Sequence, residues 1–133
     1  MGLFSKLLMG VSAQKESLIR RLLWQRVSQD PAAAAHGQGP EFVDNMPTLI
    51  LMGTPEATIV TCVETWAKLK QSGQSEATIA SRIASFRGGS SQGGSVEAVI
   101  RNRVQAEHGH SGFLPAEHVD WCIRQAKTTY GTG

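Results

Sequence analysis

Apolar residues recur three and four positions apart along most of this chain, which is the spacing of one face of an α-helix. Five stretches carry such a stripe: residues 3–27, 59–69, 79–86, 96–104 and 119–130. No segment shows a convincing alternation of apolar and polar residues, the pattern of a half-buried strand. The spacing therefore predicts an all-α fold, a small bundle of five to six amphipathic helices, orthogonal or up-down and built of αα-hairpins.

Helix boundaries are predicted from capping residues, because a side-chain oxygen accepts a hydrogen bond from the free N–H groups of a first turn. Five starts follow, near Ser17, Thr54, Ser75 and Ser95 and after Pro115. Glu56 is interpreted as an acid placed near the positive end of a helix dipole. Gly73 and Gly131 are predicted to end helices, since glycine adopts the left-handed conformation that closes many of them.

The chain length predicts one domain, because 133 residues are enough to bury a core without disulfides or metals. The positions of glycine and proline then divide this domain into parts. Its parts are an N-terminal helical segment, a loop-rich connection and a four-helix core, at residues 1–28, 29–53 and 54–133. Residues 88–94 are interpreted as a flexible glycine–serine linker within that core. The short apolar run at 48–52 predicts extended chain or a helical turn, because no second strand is available to pair with it.

Composition excludes several classes of protein. The chain is 41% hydrophobic and 18% charged, which argues against a disordered tail. No apolar run approaches the roughly 20 residues that span a bilayer. A net charge of +2 is too small to indicate nucleic acid or anionic lipid as a partner. Cys62 and Cys122 both lie on apolar stripes, so we expect buried free thiols and a cytoplasmic protein.

The group of residues that most resembles a metal-binding set consists of three histidines and one cysteine: His108, His110, His118 and Cys122. Imidazole and thiolate are zinc ligands, and the four-residue spacing of His118 and Cys122 places them on one helical face. The competing interpretation makes Cys122 a core residue and His108 part of a frayed helix end. The favoured prediction has no cofactor, with zinc as the alternative.

Four arginines bracket the glycine–serine linker: Arg82, Arg87, Arg101 and Arg103. Glycine-rich loops beside arginine can hold phosphate, so a nucleic-acid interface is a second alternative. The sequence lacks the glycine–lysine–hydroxyl order of a phosphate loop, and solvated flanks of a tether are favoured instead. The hairpin at Gly73 is not typical of a DNA-reading helix-turn-helix, because the large Leu69 stands where that unit needs a small residue.

Catalytic signals are weak. No serine lies in a Gly-x-Ser-x-Gly elbow. Glu117, His118 and Asp120 carry acid–base groups, but three adjacent polar residues also suit an ordinary helix start. The prediction leans towards a protein that is not an enzyme.

The features that favour partner binding are aromatic and apolar residues without an evident place in the core. Trp24 and Trp121 lie off the stripes of their own helices, as interface anchors often do. The N-terminal segment adds an apolar stripe that something must cover, formed by Leu3, Phe4, Leu7, Leu8 and Val11. Its cover is the same domain, a partner chain or a membrane surface, and packing on the same domain or on a second copy is favoured. Lipid is disfavoured, because Lys6 is the only cation in that segment.

Together these features predict a small cytoplasmic helical interaction module that binds a protein partner or itself. The residues assigned to partner binding are Leu3, Phe4, Leu7, Leu8, Trp24 and Trp121.

Overall fold

The computed structural model describes residues 12–30, 43–84, 95–109 and 114–132. Its helices in these ranges are α1 (Ala13–Val27), α2 (Thr48–Leu51), α3 (Pro55–Gln71), α4 (Glu76–Ala84), α5 (Val96–His108) and α6 (Ala116–Tyr130). The described residues contain no β-strand, and the all-α prediction is confirmed. None of these helices is long and apolar enough to cross a membrane.

Several predictions concern residues outside the described ranges. They are the apolar stripe of Leu3, Phe4, Leu7, Leu8 and Val11, the linker at 88–94, and the site residues Arg87 and His110.

The predicted caps are confirmed at three of the serine and threonine starts. The hydroxyls of Thr54, Ser75 and Ser95 accept hydrogen bonds from the backbone N–H groups three residues later. The prediction at Ser17 is wrong, because α1 starts one turn earlier. There the Ser12 hydroxyl accepts the Lys15 N–H at 3.1 Å, which leaves Ser17 inside the helix.

Two glycines end helices in the predicted way. Gly73 and Gly131 have φ values of 82° and 72°, the left-handed region that side chains with a Cβ rarely adopt. At Gly131 the backbone N–H bonds back to the Lys127 carbonyl, so the last turn of α6 closes on itself. Pro115 precedes α6 and fits the predicted start there.

The chain divides into two compact units, and the boundary falls inside α3, after Ala57. We call residues 1–57 the first unit and residues 58–133 the second unit. In the first unit, α1 contacts α2. The apolar core of its described residues is small: Leu18, Ile19, Leu22, Leu23, Val43, Leu51 and Ala57.

The second unit is built from the predicted helical stripes. Its α5 packs against both α4 and α6. Nearly all the stripe residues predicted in its described part are buried: Ile59, Cys62, Val63, Trp66, Ile79, Ala80, Ile83, Val96, Val99, Ile100, Val104, Val119, Cys122, Ile123 and Ala126. Leu69 and Tyr130, at the ends of their stripes, are only half-buried. Both cysteines are buried and neither forms a disulfide, as predicted.

The interpretation of Glu56 was incomplete, because its role is not limited to the helix dipole. Its side chain is fully buried and accepts two hydrogen bonds from Arg26. The Arg26 Nε and Nη2 atoms lie 2.5 and 3.2 Å from the two carboxylate oxygens. This is a bidentate ion pair between residues 30 positions apart, and no local sequence pattern signals it.

Candidate partner-binding site

The largest exposed apolar side chains among the described residues lie together on α2, in the first unit. Leu49 is 73% exposed and Ile50 is 58% exposed. The cause is the geometry of a single helical turn, in which each residue is rotated by about 100° from the last. Thr48 and Leu51 therefore share the buried side, and the two residues between them face the opposite way.

The sequence around α2 carries no charge. Between Asp44 and Glu56 there is no acidic or basic residue and no histidine. Met46 and Met52 flank the turn and are half-buried. The exposed pair therefore sits on an uncharged stretch of surface, in contrast to the charged face expected of an ordinary solvated helix.

A polar network attaches this turn to α1. The Thr48 hydroxyl donates to Glu16 Oε2 at 3.1 Å, and Glu16 Oε1 accepts from Arg20 Nη2 at 3.1 Å. Arg20 Nη1 also donates to the Val43 carbonyl at 2.5 Å. We call Glu16, Arg20, Val43 and Thr48 the Glu16 network. It fixes the backbone before and at α2, so Leu49 and Ile50 are held on an anchored turn.

A groove of about 420 Å³ lies along α1, and it is lined by Ala13, Glu16, Ser17, Arg20, Arg21, Trp24 and Asp44. Trp24 is half-buried at its edge, which agrees with the prediction that it lies off the core stripe. Arg21 is exposed and makes no hydrogen bond or ion pair with any described residue. Tryptophan and arginine are the residue types most enriched in the centres of protein interfaces.

Trp121, the other predicted anchor, is on α6 in the second unit and is half-buried. The centroids of the Trp121 and His118 rings lie 6.0 Å apart, at an interplanar angle of 31°. An intramolecular ring contact therefore occupies part of its surface. Trp121 presents less free aromatic surface than an unpartnered anchor would.

Two of the predicted metal ligands are brought together. His118 Nε2 lies 3.3 Å from Cys122 Sγ, and both side chains are buried. His108 instead lies at the end of α5, where its Nε2 is 2.9 Å from the Thr58 hydroxyl. The described part of the predicted set is therefore a buried His–Cys pair and a histidine that bonds to α3.

Of the three predicted arginines that lie in the described ranges, at least two are paired with carboxylates. Arg101 Nε is 2.5 Å from Asp120, and Arg103 Nε is 2.8 Å from Glu107. Arg82 is exposed on α4. Paired guanidinium groups present less positive potential to a phosphate backbone than free ones do.

Sequence reasoning missed Leu49 and Ile50. A short apolar run is ordinarily assigned to the interior of a protein, so the sequence of residues 48–52 does not by itself predict an exposed surface. The available signal was the periodicity of the helix. Consecutive residues of one turn face different directions, so a single turn cannot bury four of them in a row.

The comparisons with known proteins add nothing to this geometry. No protein-family model, no curated protein and no solved structure matches the chain.

Proposed function

We propose that this protein is a small helical interaction module that binds a protein partner or a second copy of itself through the first unit. The observation that carries the proposal is the exposure of Leu49 and Ile50, at 73% and 58%, on an anchored, uncharged turn. Single exposed apolar residues are common on protein surfaces. Leu49 and Ile50 are two adjacent exposed apolar residues, and the stretch from residue 45 to residue 55 carries no charge. Such an uncharged apolar surface is typical of one that a partner covers on binding.

The energetics suit such a role. Full burial of a leucine or isoleucine side chain contributes about 1.5–3 kcal/mol. The pair alone covers less area than a stable interface requires, which is roughly 800 Å² on each partner. The groove at Trp24 extends the available surface, and Glu16 belongs both to that groove and to the network that holds α2. We place the binding surface on the α2 turn with the Trp24 groove as its second element.

Site-specific photo-cross-linking in the producing cell tests this proposal. A benzophenone amino acid replaces Leu49 in one chain and the exposed Asn102 on α5 in a control chain. We expect one dominant adduct at position 49, identified by mass spectrometry as a second copy or as one other protein. The adduct should disappear when wild-type chain is present in excess.

Equal yields of the same adducts at positions 49 and 102 would contradict the proposal, because the cross-links would then report only random collisions. Dominant cross-links to lipid at position 49 would assign the surface to a membrane.

The cytoplasm remains the proposed location. It is supported by Cys62 and Cys122, which are buried and form no disulfide, as is usual for proteins of a reducing compartment.

Metal binding is a second candidate function, favoured by the His118–Cys122 pair. Zinc bonds of 2.0–2.1 Å to nitrogen and 2.3 Å to sulfur place tetrahedral ligand atoms about 3.6 Å apart. The observed 3.3 Å separation is close to that value. The pair would supply two of the four ligands that structural zinc takes, and a bound ion would cross-link successive turns of α6.

Competition with a chromophoric chelator measures this binding directly. We expect Zn²⁺ affinity to fall at least tenfold in His118→Ala and in Cys122→Ser, and to stay unchanged in His108→Ala. Equal affinities in all these variants would remove the second candidate.

A further inference from the structure

A second groove lies in the second unit, at the C-terminal end of α6. Its volume is about 420 Å³, and it is lined by Arg124, Lys127, Thr128 and Gly131. Two of these four residues are cationic, and none is acidic. The groove therefore combines positive charge with a hydroxyl-bearing side chain.

The cations around this groove are held in different ways. Lys127 Nζ bonds to Glu97 Oε1 at 2.5 Å and lies 5.2 Å from the centre of the Trp66 ring. Lys70 Nζ donates to the Thr132 carbonyl at 3.0 Å. Arg124 is exposed, and its guanidinium forms no hydrogen bond or ion pair with any described residue. It is the cation most available to a ligand.

Unpaired polar atoms are concentrated at the same end of the unit. In the described residues, the buried side-chain atoms without a hydrogen-bond partner are Trp66 Nε1, the Tyr130 hydroxyl and Thr132 Oγ1. Trp66 lies against Lys127, and the other two residues flank Gly131, so each adjoins a residue of the groove. Trp66 and Thr132 are only 5% and 3% exposed. Unsatisfied groups of this kind call for an explanation, such as a bound water or ion.

The chemistry of these atoms points to an acceptor of hydrogen bonds. The indole N–H can only donate, and the two hydroxyls can donate. Burial, reinforced by the negative charge of Glu64, raises the pKa of Tyr130 to about 12, so its hydroxyl keeps its proton at neutral pH. Glu64 and Glu97 are the acidic groups nearby, and Glu97 is already paired with Lys127.

We propose that this end of the second unit binds a compact oxyanion, a phosphate or carboxylate group, at a site made by Arg124, Lys127, Trp66, Tyr130 and Thr132. Arg124 supplies the free charge. Trp66, Tyr130 and Thr132 supply hydrogen-bond donors that lack partners in the described structure. The site lies outside the surface proposed for partner binding, so either proposal can fail without the other.

The test is a titration of the full chain with inorganic phosphate, followed by the indole N–H signals in ¹H–¹⁵N NMR spectra. Ionic strength is kept constant with chloride, and a parallel titration uses acetate to compare a carboxylate with a phosphate. The chain has three tryptophans, so Trp24 and Trp121 serve as internal references. We expect a saturable shift of the Trp66 signal with at least one of the two anions, and no saturable shift of the others.

Three variants separate a built site from an adventitious ion only. Arg124→Ala should weaken anion binding at least tenfold, whereas Lys68→Ala removes an exposed cation of α3 and should leave anion binding unchanged. Thr132→Val should also weaken binding. It should raise the urea midpoint of the anion-free protein, because it removes a buried hydroxyl that has no partner.

Shifts that stay linear with both anions, or equal losses of anion affinity in Arg124→Ala and Lys68→Ala, would show an adventitious ion only and overturn the proposal. A Thr132→Val variant with a lower urea midpoint and unchanged anion affinity would overturn the role of Thr132.

Discussion

Different kinds of contact stabilise the interior of each of the two units. In the second unit the described core is almost entirely apolar, and the ion pairs between described residues are either exposed, as in Arg101–Asp120, or partly buried, as in Arg103–Glu107. In the first unit buried carboxylates take part in the long-range contacts, with Arg26 paired to the fully buried Glu56 and Thr48 bonded to Glu16. At the same time the first unit leaves Leu49 and Ile50 exposed. Among the described residues, the unit with the smaller core therefore carries the large exposed apolar side chains.

This difference has an energetic consequence. An apolar core loses stability mainly through the cavity that a truncated side chain leaves. A buried ion pair adds little net stability when compared with well-packed apolar residues, yet removal of one partner leaves an uncompensated charge. We therefore expect the two units to respond differently to the same kind of substitution.

The largest effect is expected in the second unit, from Trp66→Ala. Trp66 is 5% exposed, and deletion of a buried tryptophan costs about 3–5 kcal/mol. Urea unfolding monitored by circular dichroism measures the loss. A loss below about 1 kcal/mol would mean that the apolar stripe of α3 does not dominate the core of this unit.

Arg26→Ala tests the corresponding contact of the first unit. We expect a loss of about 3 kcal/mol, at the lower end of the range for breaking a buried pair, because the Arg26 side chain is 18% exposed. The matched variant replaces both Arg26 and Glu56 by methionine and should recover most of the loss. If the double variant is as unstable as Arg26→Ala, the pair contributes more than charge compensation.

Substitution of the glycines at helix ends should cause smaller and more local losses of stability. Gly73→Ala and Gly131→Ala, both in the second unit, should each cost about 1 kcal/mol, because a Cβ disfavours their positive φ. Nothing lies within 4 Å of the position of an added Cβ at either site, so the cost is conformational and not steric. Gly53→Ala in the first unit is the control, since Gly53 does not have a positive φ. A similar loss in all three variants would show that general glycine effects dominate.

The two units should also differ in the pH dependence of their stability, because the chain's single tyrosine lies in the second unit. Burial, together with Glu64, raises the pKa of Tyr130 from 10.0 to about 12. The folded protein therefore keeps a proton that the unfolded chain loses, and this contribution to stability declines as the pH rises from 10 to 12. Ultraviolet titration of the phenol measures the folded and urea-unfolded chains. Coincident curves would contradict the burial of Tyr130.

The same contrast explains how much of the fold was predictable. In the second unit the buried stripe of α5, formed by Val96, Val99, Ile100 and Val104, follows directly from helical periodicity. In the first unit the pairing of Arg26 with Glu56 depends on the tertiary fold, and nothing in the local sequence around either residue specifies the other.

The candidate site shows a similar division. Trp24 was predictable because it lies off the stripe of α1, and the structure places it beside a groove. Leu49 and Ile50 were not identified, since the exposure of an apolar run depends on whether it forms a strand or a single helical turn. Their exposure requires the tertiary contact that holds Thr48 on Glu16. The His118–Cys122 contact was predictable from its four-residue spacing, whereas the bond between His108 and Thr58 was not.

The smallest expected effect on stability comes from the double variant Leu49→Ser and Ile50→Ser. Both side chains are mostly exposed, so the free energy of unfolding should change by less than about 0.5 kcal/mol. The urea midpoint measures this change. A loss above about 2 kcal/mol would show that these residues belong to the core of the first unit and do not form an exposed surface.

The role of the exposed turn in binding is measured by the affinity of the same double variant for the protein cross-linked at position 49. If that protein is a second copy, sedimentation equilibrium gives the dissociation constant, and calorimetry gives it for any other partner. We predict that the double variant binds at least tenfold more weakly, while Asn102→Ser keeps the wild-type affinity. Equal affinities of the wild-type chain and the double variant would contradict the claim that the exposed turn of the first unit is the binding surface.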